Sequence, residues 1–233
     1  MNCSQPLNSS TSQLVASIRD EIRERGPISF ARFMEQALYH PAHGYYGSGR
    51  CTIGRRGDYF TSVSVGPLFG EMLAAQFAEI WRRLDCPNDF VVVEQGAHHG
   101  EFATDVLETL RDGSPELFAT LRYRIVEPFP ILRQRQQGVL RQFTGIAEWS
   151  ASLEGMEPFS GVHFSNELVD AMPVHLIGAA GAPERREWHE RLVERTSCGF
   201  TFVYQPISDP RLGGRGFLWN IRSLRSRDRK SVV

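Results

Sequence analysis

The sequence has few cysteines and no long apolar run. Its four cysteines are scattered and form no Cys-x-x-Cys pair: Cys3, Cys51, Cys86 and Cys198. This spacing indicates free thiols and argues against a zinc site. No apolar stretch approaches the roughly 20 residues that a membrane-spanning helix needs. Because the N-terminus also lacks the basic segment and apolar core of a signal peptide, we predict a cytoplasmic protein without a membrane span.

Neither sign of charge is in excess. The chain has 26 Lys and Arg residues against 27 Asp and Glu residues, for a formal net charge of −1. This balance gives no electrostatic basis for nucleic acid or an anionic membrane as a partner. Two histidines, His40 and His43, lie beside Pro41 and Gly44, a pattern typical of a turn and not of a helical metal-binding pair. We predict no metal site and no nucleic-acid partner.

Short apolar runs alternate with amphipathic stretches from residue 90 onward. The predicted strands are FVVVE (90–94), LRYRIVE (121–127), a short segment at 144–147 and GVHFSNEL (161–168), and the predicted helices cover 102–111 and 130–143. This alternation is typical of right-handed βαβ units, so we predict an α/β fold with a parallel sheet. Such sheets bind ligands at the carboxyl ends of their strands, where we expect Glu94, Glu127, Glu148, Asn166 and Glu167.

The first third of the chain has a different pattern. Residues 12–25, 30–40 and 68–84 repeat apolar side chains at helical spacing, and Ser29 is a predicted N-cap for the second of these helices. Between them, residues 44–67 form a long glycine-rich stretch. A loop of this length in a compact chain is usually functional or disordered, and its Tyr, Phe and Thr content favours function.

The segment VVVEQGAHHGEF (91–102) joins a predicted strand to a predicted helix through Gly96 and Gly100. Such a loop lets the backbone approach a cofactor at a helix N-terminus. The pattern is not the Gly-x-Gly-x-x-Gly of dinucleotide sites, and Glu94 and Glu101 would repel a pyrophosphate. The same acids suit the sulfonium and ammonium groups of S-adenosylmethionine, and Glu127 is positioned to accept its ribose hydroxyls. The alternative is a tight turn that needs only positive φ at Gly96 or Gly100.

Five ordered segments together resemble the MidA-like methyltransferases, the family of the mitochondrial complex I assembly-factor arginine methyltransferase. They are GPISFARFMEQALYHPAHGYY, IGRRGDYFTSVSVGPLFGEMLA, VVVEQGAHHGEFATDVLETL, YRIVEP and FSNELVDAMPVHLI, and the match runs from residue 27 to about 193. The resemblance implies a Rossmann-like class I methyltransferase sheet with an N-terminal helical extension. It also implies S-adenosylmethionine as cofactor and a protein substrate, an arginine side chain in a respiratory-complex subunit.

The resemblance also implies roles for individual residues. The loop containing GDYFTS is expected to close over the cofactor, residues 94–100 to form its main loop, and Glu127 to bind the ribose. Together with Glu148, which is expected from its position at a strand end, the expected cofactor-binding residues are Gly57, Asp58, Thr61, Ser62, Glu94, Gly96, His98, Gly100 and Glu127.

Three residues at or just beyond the C-terminal end of the fourth predicted strand are the candidate catalytic groups. Methyl transfer from a sulfonium is an in-line displacement, so orientation and charge placement carry most of the catalysis. A guanidinium presents a rigid fork of donors, which the carboxylates of Glu167 and Asp170 can hold while Asn166 orients the cofactor amine or the acceptor. The alternative is that Asn166 caps a turn and Asp170 is a solvated acid. We interpret His175 as a packing or hydrogen-bonding residue.

The chain departs from the family pattern in its main loop. The family reads Glu-x-Gly-x-Gly-x-Gly, whereas this loop has His98 at the middle glycine, followed by His99. We interpret the loop as a variant cofactor loop, in which His98 contributes a backbone N–H or stacks from the side. Loss of the cofactor site is the alternative.

A second departure concerns the end of the chain. The family continues for more than a hundred residues beyond the segment resembling EWHERLVE (187–194), whereas this sequence ends in an arginine-rich stretch. We therefore expect a C-terminally truncated chain with an incomplete sheet. We predict three regions: an N-terminal helical region at 1–84, a partial cofactor-binding domain at 85–210 and a disordered basic tail at 211–233.

The sequence alone leaves three functions open. The first is a methyltransferase acting on protein arginine, and the second is an assembly-factor-like binding protein that keeps the fold without turnover. The third, an NAD-dependent oxidoreductase, is weakened by Glu101 and by the missing Gly-x-Gly-x-x-Gly pattern.

Overall fold

A computed structural model describes residues 9–49, 66–180, 187–207, 209 and 212. The expected cofactor-covering residues Gly57, Asp58, Thr61 and Ser62 lie outside the described residues. The predicted basic tail also lies outside them, apart from Leu212. In the described part of the chain, no helix is long and apolar enough to cross a membrane.

The contacts of the chain divide it into two compact units. The first combines Met1–Ala37 with Pro173–Val233, and the second is the continuous stretch Leu38–Met172. The division into regions 1–84, 85–210 and 211–233 stays a prediction.

The second unit contains the predicted parallel sheet. Its strands are β2 (Phe90–Gln95), β3 (Leu121–Val126), β4 (Ala147–Ser150) and β5 (Ser160–Ser165). They run parallel in the order β4-β3-β2-β5, which confirms the predicted α/β fold. Two boundaries differ from the prediction. β4 begins three residues late because Gly145 turns the chain at φ 93°, and β5 ends at Ser165, shortly before Glu167 adopts φ 52°.

Four helices belong to this sheet: α3 (Leu68–Arg83), α4 (Glu101–Gly113), α5 (Pro115–Thr120) and α6 (Pro130–Val139). The predicted helix at 130–143 is split, because α6 stops at Val139 and a 3-10 turn follows at Arg141–Phe143. The apolar stripes of the helices and the inward-facing strand residues share one core: Ala74, Phe77, Trp81, Phe90, Val92, Phe102, Ala103, Val106, Leu107, Leu110, Leu117, Tyr123, Ile125 and Phe143.

β5 lies at the exposed edge of this sheet. The first four residues of β2 are fully buried, as expected for an inner strand of a parallel sheet. In β5, Val162 and Phe164 are only partly buried and the other positions are partly or fully exposed. Within the described residues, no strand pairs with the other side of β5.

The first unit is an antiparallel sheet beside a helix. It contains α1 (Ser9–Arg25), β1 (Ile28–Ser29), β6 (Leu176–Ala180), β7 (Glu187–Arg195) and β8 (Phe200–Pro206), and β7 pairs with each of the other strands. Its core contains Ile18, Ile22, Ile28 and Val193. α2 (Phe30–Tyr39) follows β1, and the Arg32 N–H donates to Ser29 Oγ at 3.1 Å, which confirms Ser29 as the cap.

The close pairing of β2 and β5 predicts the effect of a single methyl group. A Cβ added at Gly161 would overlap the backbone carbonyl of Val91, whereas a Cβ at Gly113 meets nothing within 4 Å. We expect Gly161→Ala to lower the free energy of unfolding by about 1–3 kcal/mol through overpacking. Gly113→Ala is the matched control and should leave it nearly unchanged. Urea unfolding measures both, and equal stability of the two variants would contradict the strand pairing.

Candidate functional site

Three strands of the second unit end at the same level. In the sheet, Gln95 at the end of β2 pairs with Val126 of β3 on one side and with Ser165 of β5 on the other. The chain therefore leaves the sheet at Gly96, Glu127 and Asn166 from adjacent positions. This carboxyl edge is where parallel α/β sheets bind their ligands.

The loop that follows β2 has three residues with left-handed backbone. The φ angles are 83° at Gly96, 48° at His98 and 91° at Gly100. Glycine adopts such angles without strain, whereas histidine does so at some cost. A side chain at position 96 would also lie 3.1 Å from Leu168 Cδ1. The loop therefore needs positive φ at both glycines and at the histidine between them.

Glu94 is a buried acid just before this loop. Its Oε2 accepts a hydrogen bond from the Tyr123 hydroxyl at 2.8 Å, and only 3% of the residue is exposed. Burial raises the pKa of the Glu94 carboxyl to about 7, and the charge of Glu101 adds to this effect, while the Tyr123 hydrogen bond opposes it. Glu94 is therefore largely protonated in acidic solution.

A buried hydrogen-bond network connects the ends of the strands. Glu127 accepts hydrogen bonds from the Phe129 N–H at 3.0 Å and from Gln136 Nε2 at 2.9 Å. The same Gln136 amide donates to the His98 carbonyl at 2.9 Å, and its oxygen accepts from Trp149 Nε1 at 3.0 Å. One side chain of α6 thus joins the loop after β2, the acid after β3 and strand β4.

Sequence reasoning missed Gln136, although a signal was present. Leu132, Gln136 and Leu140 recur every four residues, and all three are buried. A polar residue in an apolar stripe must find hydrogen-bond partners when it is buried. The pattern could therefore have predicted a buried polar contact, but not the identity of its partners.

Glu127 retains the capacity to bind a ligand. A carboxylate offers about four acceptor positions. In this structure the carboxylate oxygens accept two hydrogen bonds, one on each, and the remaining positions can accept the two hydroxyls of a ribose. Burial raises the pKa of Glu127, and the hydrogen bonds from Phe129 and Gln136 oppose that increase. The donor and acceptor set therefore fits the expected ligand.

The candidate catalytic residues lie after β5. Asn166 is partly buried, Glu167 is exposed with φ 52°, and Asp170 is exposed in a 3-10 turn at Val169–Ala171. Leu168 of this segment faces Gly96, so the segment lies against the loop after β2. The structure brings the backbone of these residues to the expected edge, and their catalytic roles stay predictions.

Glu148 does not lie where the sequence analysis expected it. It is the second residue of β4 and not a residue at the strand end. Its exposed side chain pairs with Arg124 on the neighbouring strand, with Oε2 3.1 Å from Nε. The expected position was wrong because β4 begins three residues later than predicted.

His175 lies in the first unit. Its Nδ1 is 2.6 Å from Oε1 of Glu190, which is only 3% exposed. This contact agrees with its interpretation as a hydrogen-bonding residue.

Loss of the Gln136 amide should destabilise the second unit. Gln136→Leu places an apolar side chain in the stripe and removes the hydrogen-bond partners of the His98 carbonyl and of Trp149 Nε1. Leaving such buried groups unsatisfied predicts a loss of about 2–3 kcal/mol in the free energy of unfolding. Gln142→Leu is the control, since Gln142 makes an exposed hydrogen bond to Glu108 at 2.9 Å. A similar small loss in both variants, measured by urea unfolding, would refute the network's role.

The raised pKa of Glu94 predicts a pH-dependent stability. Its pKa rises from 4.5 to about 7 on folding, so the unfolded chain ionises this group first as the pH increases. Between pH 4.5 and about 7, Glu94 therefore lowers the free energy of unfolding by about 1.4 kcal/mol for each unit by which the pH rises. Relative to the native chain, the free energy of unfolding of Glu94→Gln should therefore increase by about 2–3 kcal/mol as the pH is raised from 5 to 8. Urea unfolding at both pH values tests this, with Glu116→Gln as an exposed control. A gain that does not change with pH would contradict the assigned pKa.

Solved structures share this architecture. The crystal structure of a COG1565 superfamily member from Burkholderia thailandensis, bound to S-adenosyl-homocysteine, aligns with a TM-score of 0.74 and 33% identity, over 91% of this chain and 56% of that one. A second, native crystal structure from the same organism aligns with a TM-score of 0.69 and 28% identity, over 97% of this chain and 55% of that one.

The chain is also similar to curated protein arginine methyltransferases. The chain is 28% identical to the mitochondrial protein arginine methyltransferase NDUFAF7 homolog of Drosophila melanogaster, over 83% of this chain and 47% of the relative. It is 24% identical to the human protein arginine methyltransferase NDUFAF7, over 88% of this chain and 51% of the relative. The chain thus spans about half the length of the curated relatives it matches. Residues 72–229, more than half of the sequence, match a family of S-adenosyl-L-methionine-dependent methyltransferases, and the chain belongs to that family.

Proposed function

We propose that the protein transfers a methyl group from S-adenosylmethionine to an arginine side chain of a protein substrate. The observation that carries this proposal is the buried network in which Gln136 joins Glu127 to the His98 carbonyl. It fixes the acid expected to bind the ribose and the loop expected to bind the rest of the cofactor as one rigid unit. Such preorganisation lowers the cost of ordering the site when a ligand binds.

The residues at the strand ends suit this cofactor. Bound S-adenosylmethionine supplies an electrophilic methyl group on a sulfonium. Glu127 would accept hydrogen bonds from the ribose hydroxyls, and the backbone of Gly96, His98 and Gly100 would line the cofactor. The acidic side chains of Glu94 and Glu101 favour a cationic ligand and disfavour a pyrophosphate, which weighs against an NAD-dependent oxidoreductase.

The segment after β5 would handle the methyl acceptor. A guanidinium carries its charge over a planar fork of donors that matches carboxylate geometry. Glu167, exposed beside the loop, would hold this fork and direct one nitrogen toward the methyl group, with Asp170 as a second acceptor and Asn166 as an orienting amide. The guanidinium must lose a proton as it gains the methyl group, and a nearby carboxylate can accept that proton.

The substrate assignment rests on the relatives. Those named above are protein arginine methyltransferases, and their names describe them as mitochondrial. The family resemblance extends the proposal to a respiratory-complex subunit as substrate. The chain matches only about half of each relative.

A non-catalytic binding protein is the second candidate, and His98 is the observation that favours it. A histidine with φ 48° stands where the family pattern has glycine, and its ring adds volume in the cofactor loop. A protein of this kind would keep the fold and its partner while lacking turnover.

Cofactor binding tests the first part of the proposal. We expect S-adenosyl-homocysteine to bind and NAD not to bind in isothermal titration calorimetry. Glu127→Ala should weaken binding by about 1–3 kcal/mol because the ribose hydroxyls lose their acceptor. Glu148→Ala, on the neighbouring strand, is the control and should bind as tightly as the native chain. Melting temperatures show whether each variant is folded, and unchanged affinity in a folded Glu127→Ala would remove Glu127 from the site.

Turnover tests the second part. With a labelled methyl donor and an arginine-containing protein substrate, we expect Glu167→Gln to reduce kcat by about tenfold or more, with unchanged affinity for S-adenosyl-homocysteine. Glu116→Gln, on the surface of α5, should keep native turnover. Cofactor binding without any methyl transfer by the native chain would instead support the non-catalytic candidate.

A further inference from the structure

His98, His99 and Glu101 form a cluster of metal-ligating side chains. One ligand atom from each lies within 4.8 Å of the others, and no other group of three His, Cys, Asp or Glu residues in the described part of the chain meets this distance. The two imidazole rings stack with centroids 3.8 Å apart, and His99 Nδ1 lies 3.8 Å from Glu101 Oε1. Neither the scattered cysteines nor the pair His40 and His43 had indicated a metal site from sequence.

The backbone of the loop explains why these neighbours in sequence meet in space. Consecutive side chains of an extended chain point in opposite directions. The left-handed conformation of His98, at φ 48°, turns the chain so that its ring and that of His99 lie side by side. Gly100, at φ 91°, then reverses the chain again, and Glu101 follows as the first residue of α4. Two successive left-handed turns therefore assemble the cluster.

We propose that His98, His99 and Glu101 bind a divalent transition-metal ion. Two imidazoles and a carboxylate are ligands that Zn²⁺ and its neighbours accept. Bonds of about 2.0–2.1 Å to a tetrahedral ion hold ligand atoms about 3.3 Å apart, so the cluster must contract to bind. Because each imidazole lone pair lies in the plane of its ring, one of the two stacked rings must also rotate out of the stack. The Glu101 side chain is 57% exposed and can move toward the ion. Three protein ligands leave the fourth position for water.

Arg135 adds a cost to metal binding. Its Nη1 lies 3.4 Å from His99 Nε2 and donates to the Gly49 carbonyl at 2.7 Å. When His99 binds a metal through Nδ1, its remaining proton is on Nε2 and faces this donor. The guanidinium must then move away from His99, although it can keep the Gly49 carbonyl. Removal of Arg135 should therefore strengthen metal binding, the opposite of removing a ligand.

Cobalt and zinc titrations of the full chain, without an affinity tag, test the proposal. Co²⁺ reports its ligands through visible absorption, and calorimetry measures Zn²⁺ affinity. Loss of a residue that only orients a ligand weakens metal binding by about 10–100-fold, so His98→Gly, His99→Ala and Glu101→Gln should each weaken it at least as much. His98→Gly introduces the residue best suited to positive φ, so this variant is expected to fold. Arg135→Gln should bind metal more tightly.

The double variant His40→Ala/His43→Ala is the matched control, because it also removes a stacked histidine pair, with ring centroids 5.0 Å apart. It should bind Co²⁺ and Zn²⁺ with native affinity. The proposal is overturned if the native chain binds neither ion, or if His98→Gly and His99→Ala bind them with native affinity, as expected for binding through cysteines. It is also overturned if Arg135→Gln weakens binding as much as His99→Ala, since the histidines would then act through loop conformation and not as ligands.

Discussion

The amide of Gln136 is the contact on which the candidate site depends. It is fully buried, and it holds Glu127, the His98 carbonyl and Trp149 at once. Each of these groups lies on a different element, and a buried polar group without a partner costs more than a hydrogen bond contributes. The position of the loop after β2 is therefore coupled to the acid after β3 and to strand β4. The shape of the site is set by a helix residue that needs no contact with a ligand.

Buried carboxyl groups that are costly to ionise lie at the carboxyl edge of the parallel sheet. Burial raises the pKa of Glu94 and of Glu127. A cationic ligand offsets this cost by interacting with the ionised forms. The electrostatic character of the site thus favours a sulfonium, a guanidinium or a metal ion over a phosphate.

Periodicity and strand ends predicted the parallel sheet because they are local properties. The apolar run before Glu94 and the acid after β3 could be located from sequence, and so could the glycines of the loop. The start of β4 could not, since the turn at Gly145 shifts it by three residues, and Glu148 moved with it from the strand end into the strand. The antiparallel β7 and β8 were also missed, although Gly199 between two strand-like runs is a turn signal. The partners of Gln136 come from three separate elements, and only the tertiary structure brings them together.

One hydrogen bond has a consequence for the order in which the chain folds during synthesis. The Tyr39 hydroxyl donates to the Ala171 carbonyl at 2.8 Å, so the two ends of the unit Leu38–Met172 meet. The whole of that unit is available for folding once residue 172 has emerged from the ribosome. The other unit must wait, because β1 pairs through Ile28 with Val193 of β7. Domains fold as units while they emerge, so the sheet that carries the candidate site can form while the N-terminal segment still lacks its partner strand.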